Sequence, residues 1–171
     1  GYAHSRGIIH RDLKPENIMI GKFGEVLVMD WGLSKVQDRD QTDSPNLEAS
    51  VDDTGQFDIG SRTLAGQVLG TPHYMPPEQA RGEQIDRRSD VWAAGVVMWE
   101  ALTAQRLFRG ANDAATLLAV VSDTPPPRPS KDRPELSAKF DTAVAAALQQ
   151  QRGKRLSTAR AFWNLLEEAA D

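Results

Sequence analysis

Val91 to Leu102 limits the fold more than any other stretch of this chain. Its residues, Val91-Trp92-Ala93-Ala94-Gly95-Val96-Val97-Met98-Trp99-Glu100-Ala101-Leu102, are apolar nearly all round a helical wheel. A helix of that kind persists only where neighbours cover most of its circumference. It falls well short of the roughly 20 residues of a membrane span, so it reads as a buried core helix capped by Ser89 or Asp90. The sequence after it supplies covering helices. Asn112 or Asp113 starts one that runs to about Val121, Leu136 to Gln149 forms another, and Ser157 to Ala170 a third. In the last, Ala161, Phe162, Leu165, Leu166 and Ala169 fall on one face. Pro125-Pro126-Pro127 and Pro129 read as a stiff extended connector.

The sequence before the core helix is of another character. Tyr2 to Arg6 reads as the last turn of a helix stopped by Gly7, after which Ile8-Ile9 leads into a polar motif. Asn17 to Ile20 and Val26 to Met29 are short, partly β-branched runs that predict two small strands. Gly21-Lys22-Phe23-Gly24 between them resembles a phosphate-cradling loop only superficially. It lacks a third glycine and a following helix, so it reads as a hairpin turn. Gln37 to Gly66 is polar and aperiodic and predicts a mobile loop. Pro76-Pro77 suits the first turn of a short helix running through Arg81. With no internal repeat, this order predicts an α+β fold in which a small strand pair and a long loop precede a helical body.

Composition excludes several functions. The net charge of −4 gives no basic field for nucleic acid or an anionic membrane. The absence of cysteine removes disulfides, thiolate metal sites and cysteine nucleophiles, and fits a cytoplasmic, reducing compartment. Gly1-Tyr2-Ala3-His4 has neither an initiating Met nor the form of a signal peptide, and reads as a start inside a helix.

The chemistry is concentrated in His10-Arg11-Asp12-Leu13-Lys14-Pro15-Glu16-Asn17. Asp12, Lys14 and Asn17 bring a carboxylate, a cation and an amide oxygen together, and Asp30 adds a carboxylate just after the second strand. Phosphoryl transfer to a hydroxyl needs such a set: a carboxylate at the attacking group, oxygen ligands for Mg²⁺ and a cation at the moving phosphate. The pair Asn17 and Asp30 suits a hard cation better than a softer metal.

His10 to Asn17 resembles the catalytic loop of protein kinases, and Asp30-Trp31-Gly32 stands where that family usually has Asp-Phe-Gly. Met75-Pro76-Pro77-Glu78 resembles its Ala-Pro-Glu motif, Gly70-Thr71-Pro72 the substrate-contacting stretch before it, and Asp90 to Gly95 its central helix. Arg155 falls where the family has the arginine that pairs with that motif's glutamate, here Glu78. The chain is thus similar to the C-terminal lobe of a eukaryotic-like (Hanks-type) serine/threonine kinase, bacterial in flavour. The resemblance implies a mostly helical lobe, with a small β-hairpin at the catalytic site and the N-terminal lobe absent. Residues 1–36 would hold the catalytic loop and metal motif, 37–82 the activation segment and 83–171 the helical body. It also implies roles. Asp12 would accept or orient the substrate hydroxyl proton, Lys14 neutralise the transferring phosphate, and Thr71 touch both when the activation segment is ordered. Asn17 and Asp30 would hold Mg²⁺, with Mn²⁺ as a substitute, and Met19 would lie beneath the adenine of ATP. Arg11 would grip a phosphate on the activation segment, for which Thr63 is the first choice by spacing.

His10 and Trp31 are expected to stack in the core behind the site, and Glu78, Asp90 and Arg155 to be structural. His4 and His73 show no partner pattern and receive no role. The implied partners are ATP, protein substrates bearing Ser or Thr, and the N-terminal lobe of the same kinase. The glycine-rich loop, strand lysine and helix glutamate of a complete kinase have no counterpart in the nine residues before His10. The chain is therefore expected to be an inactive fragment with an exposed apolar patch on the Val91–Leu102 helix. A pseudokinase, an interaction module and, more weakly, a small-molecule kinase are the alternatives. A membrane anchor elsewhere in the parent protein is compatible with all of them.

Overall fold

The computed structural model describes residues 1–36 and 72–171. Gln37 to Gly66, Thr63 and Thr71 lie outside the described residues. Helix α1 (Tyr2–Ser5) ends at Gly7, whose φ of +75° is a conformation that glycine adopts without a Cβ clash. Strand β1 (Ile8–Ile9) follows. A 3₁₀ turn at Pro15–Asn17 leads into β2 (Ile18–Ile20), which pairs antiparallel with β3 (Val26–Val28) in the register Ile18↔Val28, Met19↔Leu27 and Ile20↔Val26. Gly21–Gly24 makes the turn, closed by Gly21 N–H to the Glu25 carbonyl. A pairing not expected from the sequence joins β1 to β4 (Lys35–Val36), so the chain returns across Ile8 and Ile9 after the Trp31–Leu33 turn.

The rest is helical: α2 (Pro77–Ala80), α3 (Arg87–Thr103), α4 (Asp113–Val121), α5 (Pro129–Asp132), α6 (Ala138–Ala147) and α7 (Ala159–Ala170). Helix α3 is the axis. One side of it packs Trp92, Val96 and Trp99 against Tyr74, Phe108, Val120, Val144 and Leu148, and the other packs Val91 against Ala143, Ala147 and Phe162. These two clusters account for the apolar residues all round the helix. Gly95 lets α6 approach closely: a Cβ there would stand 2.9 Å from Ala147 Cβ.

Several expectations need correction. The cap of α3 is neither Ser89 nor Asp90 but Asp86, whose carboxylate accepts the Arg88 N–H at 2.8 Å. Ser89 and Asp90 lie in the first turn and are committed elsewhere, Ser89 Oγ donating to Glu78 at 2.9 Å. The proline connector is partly helical, because Pro129 occupies the first position of α5 and the backbone N–H and hydroxyl of Ser130 donate to Asp141 of α6. The exposed apolar surface is not on α3, which its two clusters cover, but on the β2–β3 hairpin. Met19, Ile20, Phe23, Val26 and Leu27 are all exposed there.

Candidate active site

Two of the three non-glycine residues at positive φ among the described residues lie in the motifs, Arg11 at +72° and Asp30 at +57°. Left-handed backbone at residues with a Cβ costs free energy and persists only where surrounding bonds enforce it. At Arg11 the enforcing group is Asp90. Its Oδ1 accepts the Arg11 N–H at 3.0 Å and its Oδ2 the His10 N–H at 2.9 Å. Asp90 lies in the first turn of α3, where the helix dipole favours a negative charge.

His10 is 2 % exposed and links the two motifs. Its Nδ1 accepts the Asp12 N–H at 3.3 Å, and its Nε2 faces the Met29 carbonyl at 2.8 Å. A carbonyl oxygen can only accept, so Nε2 carries the proton. Met29 N–H in turn donates to the Asn17 carbonyl at 2.8 Å, which brings Asn17 and Asp30 to the same end of the hairpin.

Asn17, 6 % exposed, donates Nδ2–H to the Asp12 carbonyl at 2.8 Å and to the Asp12 carboxylate at 3.2 Å. Donation to a carbonyl fixes the amide's orientation and leaves Oδ1 as its outward acceptor. Asp12 also pairs with Lys14, Nζ to Oδ2 at 2.8 Å. Asp30 is exposed and, among the described residues, its carboxylate accepts only a long bond, 3.4 Å, from Gly32 N–H. Among the described residues, the Asn17 amide oxygen accepts no hydrogen bond and the Asp30 carboxylate only the long one, so both offer oxygen atoms of the kind a hard divalent cation takes. Among the described residues no group of three or more His, Asp or Glu side chains is placed to hold a metal.

Met19 is half-exposed on β2, at the hairpin's open face. Trp31 departs from the expectation of a core residue. It meets the His10 ring edge-on at a centroid distance of 4.7 Å and donates Nε1–H to the Val28 carbonyl, yet stays 40 % exposed. No described element covers its outer face.

Beneath the site, Arg155 and Glu78 form a bidentate buried pair at 2.7 and 2.9 Å. Burial opposes ionisation of Glu78, but the Arg155 hydrogen bonds and charge outweigh it and hold the carboxyl below its ordinary value. The Arg155 guanidinium also lies 5.0 Å over the Trp92 ring. His4, given no role from the sequence, donates Nε2–H to Asp90 Oδ2 at 2.7 Å. A second group also escaped sequence reasoning. Tyr74 Oη donates to Glu100 at 2.8 Å, and Arg106 meets both. Burial and the Glu100 carboxylate together push the Tyr74 phenol well above its usual range. The His4–Asp90, Tyr74–Glu100 and Tyr74–Arg106 partners are 26 to 86 residues apart and carry no local signal.

A chain that bends a polar loop over the first turn of a buried central helix, and closes it against an Asp-Trp-Gly turn, has the architecture of a protein kinase C-terminal lobe. The family described as the protein kinase domain matches residues 1–165, and the chain belongs to it. That family uses ATP and a divalent cation and acts on proteins. Similar chains include a probable serine/threonine-protein kinase PknB of Bifidobacterium longum, 38 % identical over 94 % of this chain and 21 % of its own length. Serine/threonine-protein kinase PknD of Protochlamydia amoebophila is 47 % identical over 63 % of this chain and 11 % of its own length. Serine/threonine-protein kinase pkn3 of Myxococcus xanthus is 37 % identical over 94 % of this chain and 27 % of its own length. The chain therefore spans about a quarter or less of these relatives. No helix among the described residues is long and apolar enough to cross a membrane.

Proposed function

We propose that this chain forms the catalytic floor of a serine/threonine protein kinase that transfers the γ-phosphoryl group of ATP to protein hydroxyls. The carrying observation is the closed hydrogen-bond circuit through Asp12, His10, Met29 and Asn17, which draws the two motifs to one edge. Asp12 orients the attacking hydroxyl and accepts its proton. Lys14 balances charge on the transferring group, a role its pairing with Asp12 at 2.8 Å supports. Asn17 Oδ1 and the Asp30 carboxylate hold Mg²⁺, or Mn²⁺ in its place. The cation, when bound, supplies charge neutralisation at the phosphates. Met19 forms the floor under the adenine, and the apolar hairpin face receives the N-terminal lobe that the family resemblance implies. The 171 residues do not include that lobe, so the activity is proposed for the whole protein. A cytoplasmic site, in a parent protein compatible with a membrane anchor, is the location that fits ATP as donor.

Arg11 is read as the grip for a phosphate on the activation segment. Its Nε is buried with no partner among the described residues, which supports an anion as its ligand. Thr63 is the proposed phosphorylated residue and Thr71 the contact to Asp12 and Lys14. Residues 1–36, 37–82 and 83–171 are proposed as catalytic loop and metal motif, activation segment and helical body.

Calorimetric titration of the whole protein with ATP tests the metal assignment. Binding should tighten with Mg²⁺ in the wild type, and Asp30→Ala should abolish that dependence. Equal binding with and without divalent cation in the wild type would refute it.

A further inference from the structure

We propose that Arg106 is a specificity-determining residue. From within the chain it fills a guanidinium site formed by Tyr74 and Glu100, and so keeps the enzyme from selecting substrates by an arginine at that place. The inference rests on the kinase reading above and deepens it. Arg106 lies in the loop between α3 and α4. Its Nη1 donates to Glu100 Oε2 at 3.2 Å and to Tyr74 Oη, and its guanidinium carbon stands 5.5 Å from the centroid of the Tyr74 ring. A carboxylate, a phenol oxygen and an aromatic face together suit a guanidinium, which hydrogen-bonds and stacks at once. The walls of the site are buried, Tyr74 being 4 % exposed and the Glu100 side chain 10 %, whereas the Arg106 side chain is 46 % exposed. The side that Arg106 closes is therefore the side open to solvent.

Glu100 does not depend on Arg106 to stay in place. Its Oε2 accepts the Tyr74 hydroxyl at 2.8 Å and its Oε1 the Leu107 N–H at 3.1 Å. The loop is anchored beside it by Phe108, which is buried and stacked on Trp92 with ring centroids 5.8 Å apart. An ion pair to a half-exposed arginine adds little to stability, so a purely structural role accounts poorly for the contact. Removing the Arg106 side chain would leave a preformed site with an uncompensated carboxylate. The site also has a telling location. Tyr74 ends the 3₁₀ turn Pro72–Tyr74, and Glu16, next to Asn17 in the catalytic loop, is near enough for its charge to act on the Tyr74 phenol. A peptide presenting its hydroxyl to Asp12 would pass close by. With carboxylates on Glu16 and Glu100, the ground around Tyr74 would attract a cationic side chain, and Arg106 supplies the opposing charge.

The whole protein is assayed as wild type, Arg106→Ala, Arg106→Lys and the double variant Arg106→Ala with Glu100→Gln. The substrates are serine peptides that differ only in one arginine, walked through the positions around the serine. In the wild type each arginine should change kcat/KM by less than about threefold relative to alanine. In Arg106→Ala one position should gain about tenfold or more, the worth of a charge-assisted hydrogen bond. Arg106→Lys keeps the cation and should stay near wild type, and the double variant should lose the gain. Ligand-observed NMR with Nα-acetylargininamide reads the site without catalysis. It should show saturable binding to Arg106→Ala and none to the wild type or the double variant. Arg106→Gln repeats both measurements if Arg106→Ala does not fold. The proposal is overturned if Arg106→Ala gains at no position, if Arg106→Lys gains as much, or if the gain survives Glu100→Gln. Binding of Nα-acetylargininamide to the wild type as tight as to Arg106→Ala overturns it too. If the wild type transfers no phosphate, the kinase reading falls and the NMR result alone decides whether Arg106 fills a guanidinium site.

Discussion

Replacing Asp90 by asparagine would leave its shape intact but put an NH₂ group against backbone N–H donors, since both carboxylate oxygens already accept them. Whichever way the amide turns, one buried donor loses its acceptor, at a cost of about 1–3 kcal/mol. Equilibrium urea unfolding should record that loss, with the m-value unchanged. Glu78 behaves differently because its partner is a full charge. Removing one side of a buried ion pair leaves the other uncompensated, so Arg155→Met should cost about 3–5 kcal/mol by the same measurement. The pair also has a pH signature. The folded pKa of Glu78 is depressed below the ordinary 4.5, so the unfolded state binds more protons as the solution is acidified. Its contribution is fully present above about pH 4.5 and falls away below it. Arg155→Met should therefore flatten the loss of stability between neutral pH and pH 3.5. Residues whose partners lie close in sequence, such as Asp12, Lys14 and Asn17, were legible as a set. The His4–Asp90 and Tyr74–Glu100 bonds were not, because only the folded chain brings them together.

At the level of elements, the helices were legible from apolar periodicity and their ends less so. The start of α3 illustrates why. Asp86, Ser89 and Asp90 are all good capping residue types, and the sequence cannot say which of them is free to cap. Tertiary bonds from Glu78, His10 and Arg11 take Ser89 and Asp90, and the cap falls to Asp86. The β1–β4 pairing escaped because two-residue strands carry almost no pattern. Two substitutions on α3 separate helix propensity from packing. Gly95→Ala favours the helix by up to about 1 kcal/mol. Its Cβ, however, would meet Ala147 Cβ at 2.9 Å and Leu148 Cδ2 at 3.0 Å, and Ala147 Cβ is fixed to the backbone of α6. Overpacking of about 1–3 kcal/mol should win, so the melting temperature falls. Ala104 closes α3 at a φ of +56°, and Ala104→Gly should raise stability by about 0.5–1 kcal/mol in thermal unfolding.

For the molecule as a whole, α3 joins two kinds of surface. On one side, α6 and α7 complete a buried core. On the other, the polar loop from His10 to Asn17 is held by Asp90, and the hairpin beyond it presents apolar side chains outward. The contrast was half legible. An exposed apolar patch was expected, but on α3, because the sequence does not reveal how fully the surrounding elements enclose that helix. Trp31 was misplaced for the same reason, since an indole reads as core until the elements that would cover it are counted. Membership in the protein kinase family rests on motif order along the chain, and the geometry adds the circuit that binds those motifs together. The central claim is that this circuit positions Asp12 for phosphoryl transfer from ATP to a protein hydroxyl. Its most direct test is transfer of labelled γ-phosphate from ATP to serine/threonine peptides by the whole protein, as wild type and as Asp12→Asn. The account predicts magnesium-dependent phosphoserine or phosphothreonine in the wild type, and a loss of about 10²–10⁴-fold in Asp12→Asn with ATP affinity retained. Undiminished labelling by Asp12→Asn, or wild-type labelling no greater than with a chelator present, would contradict it.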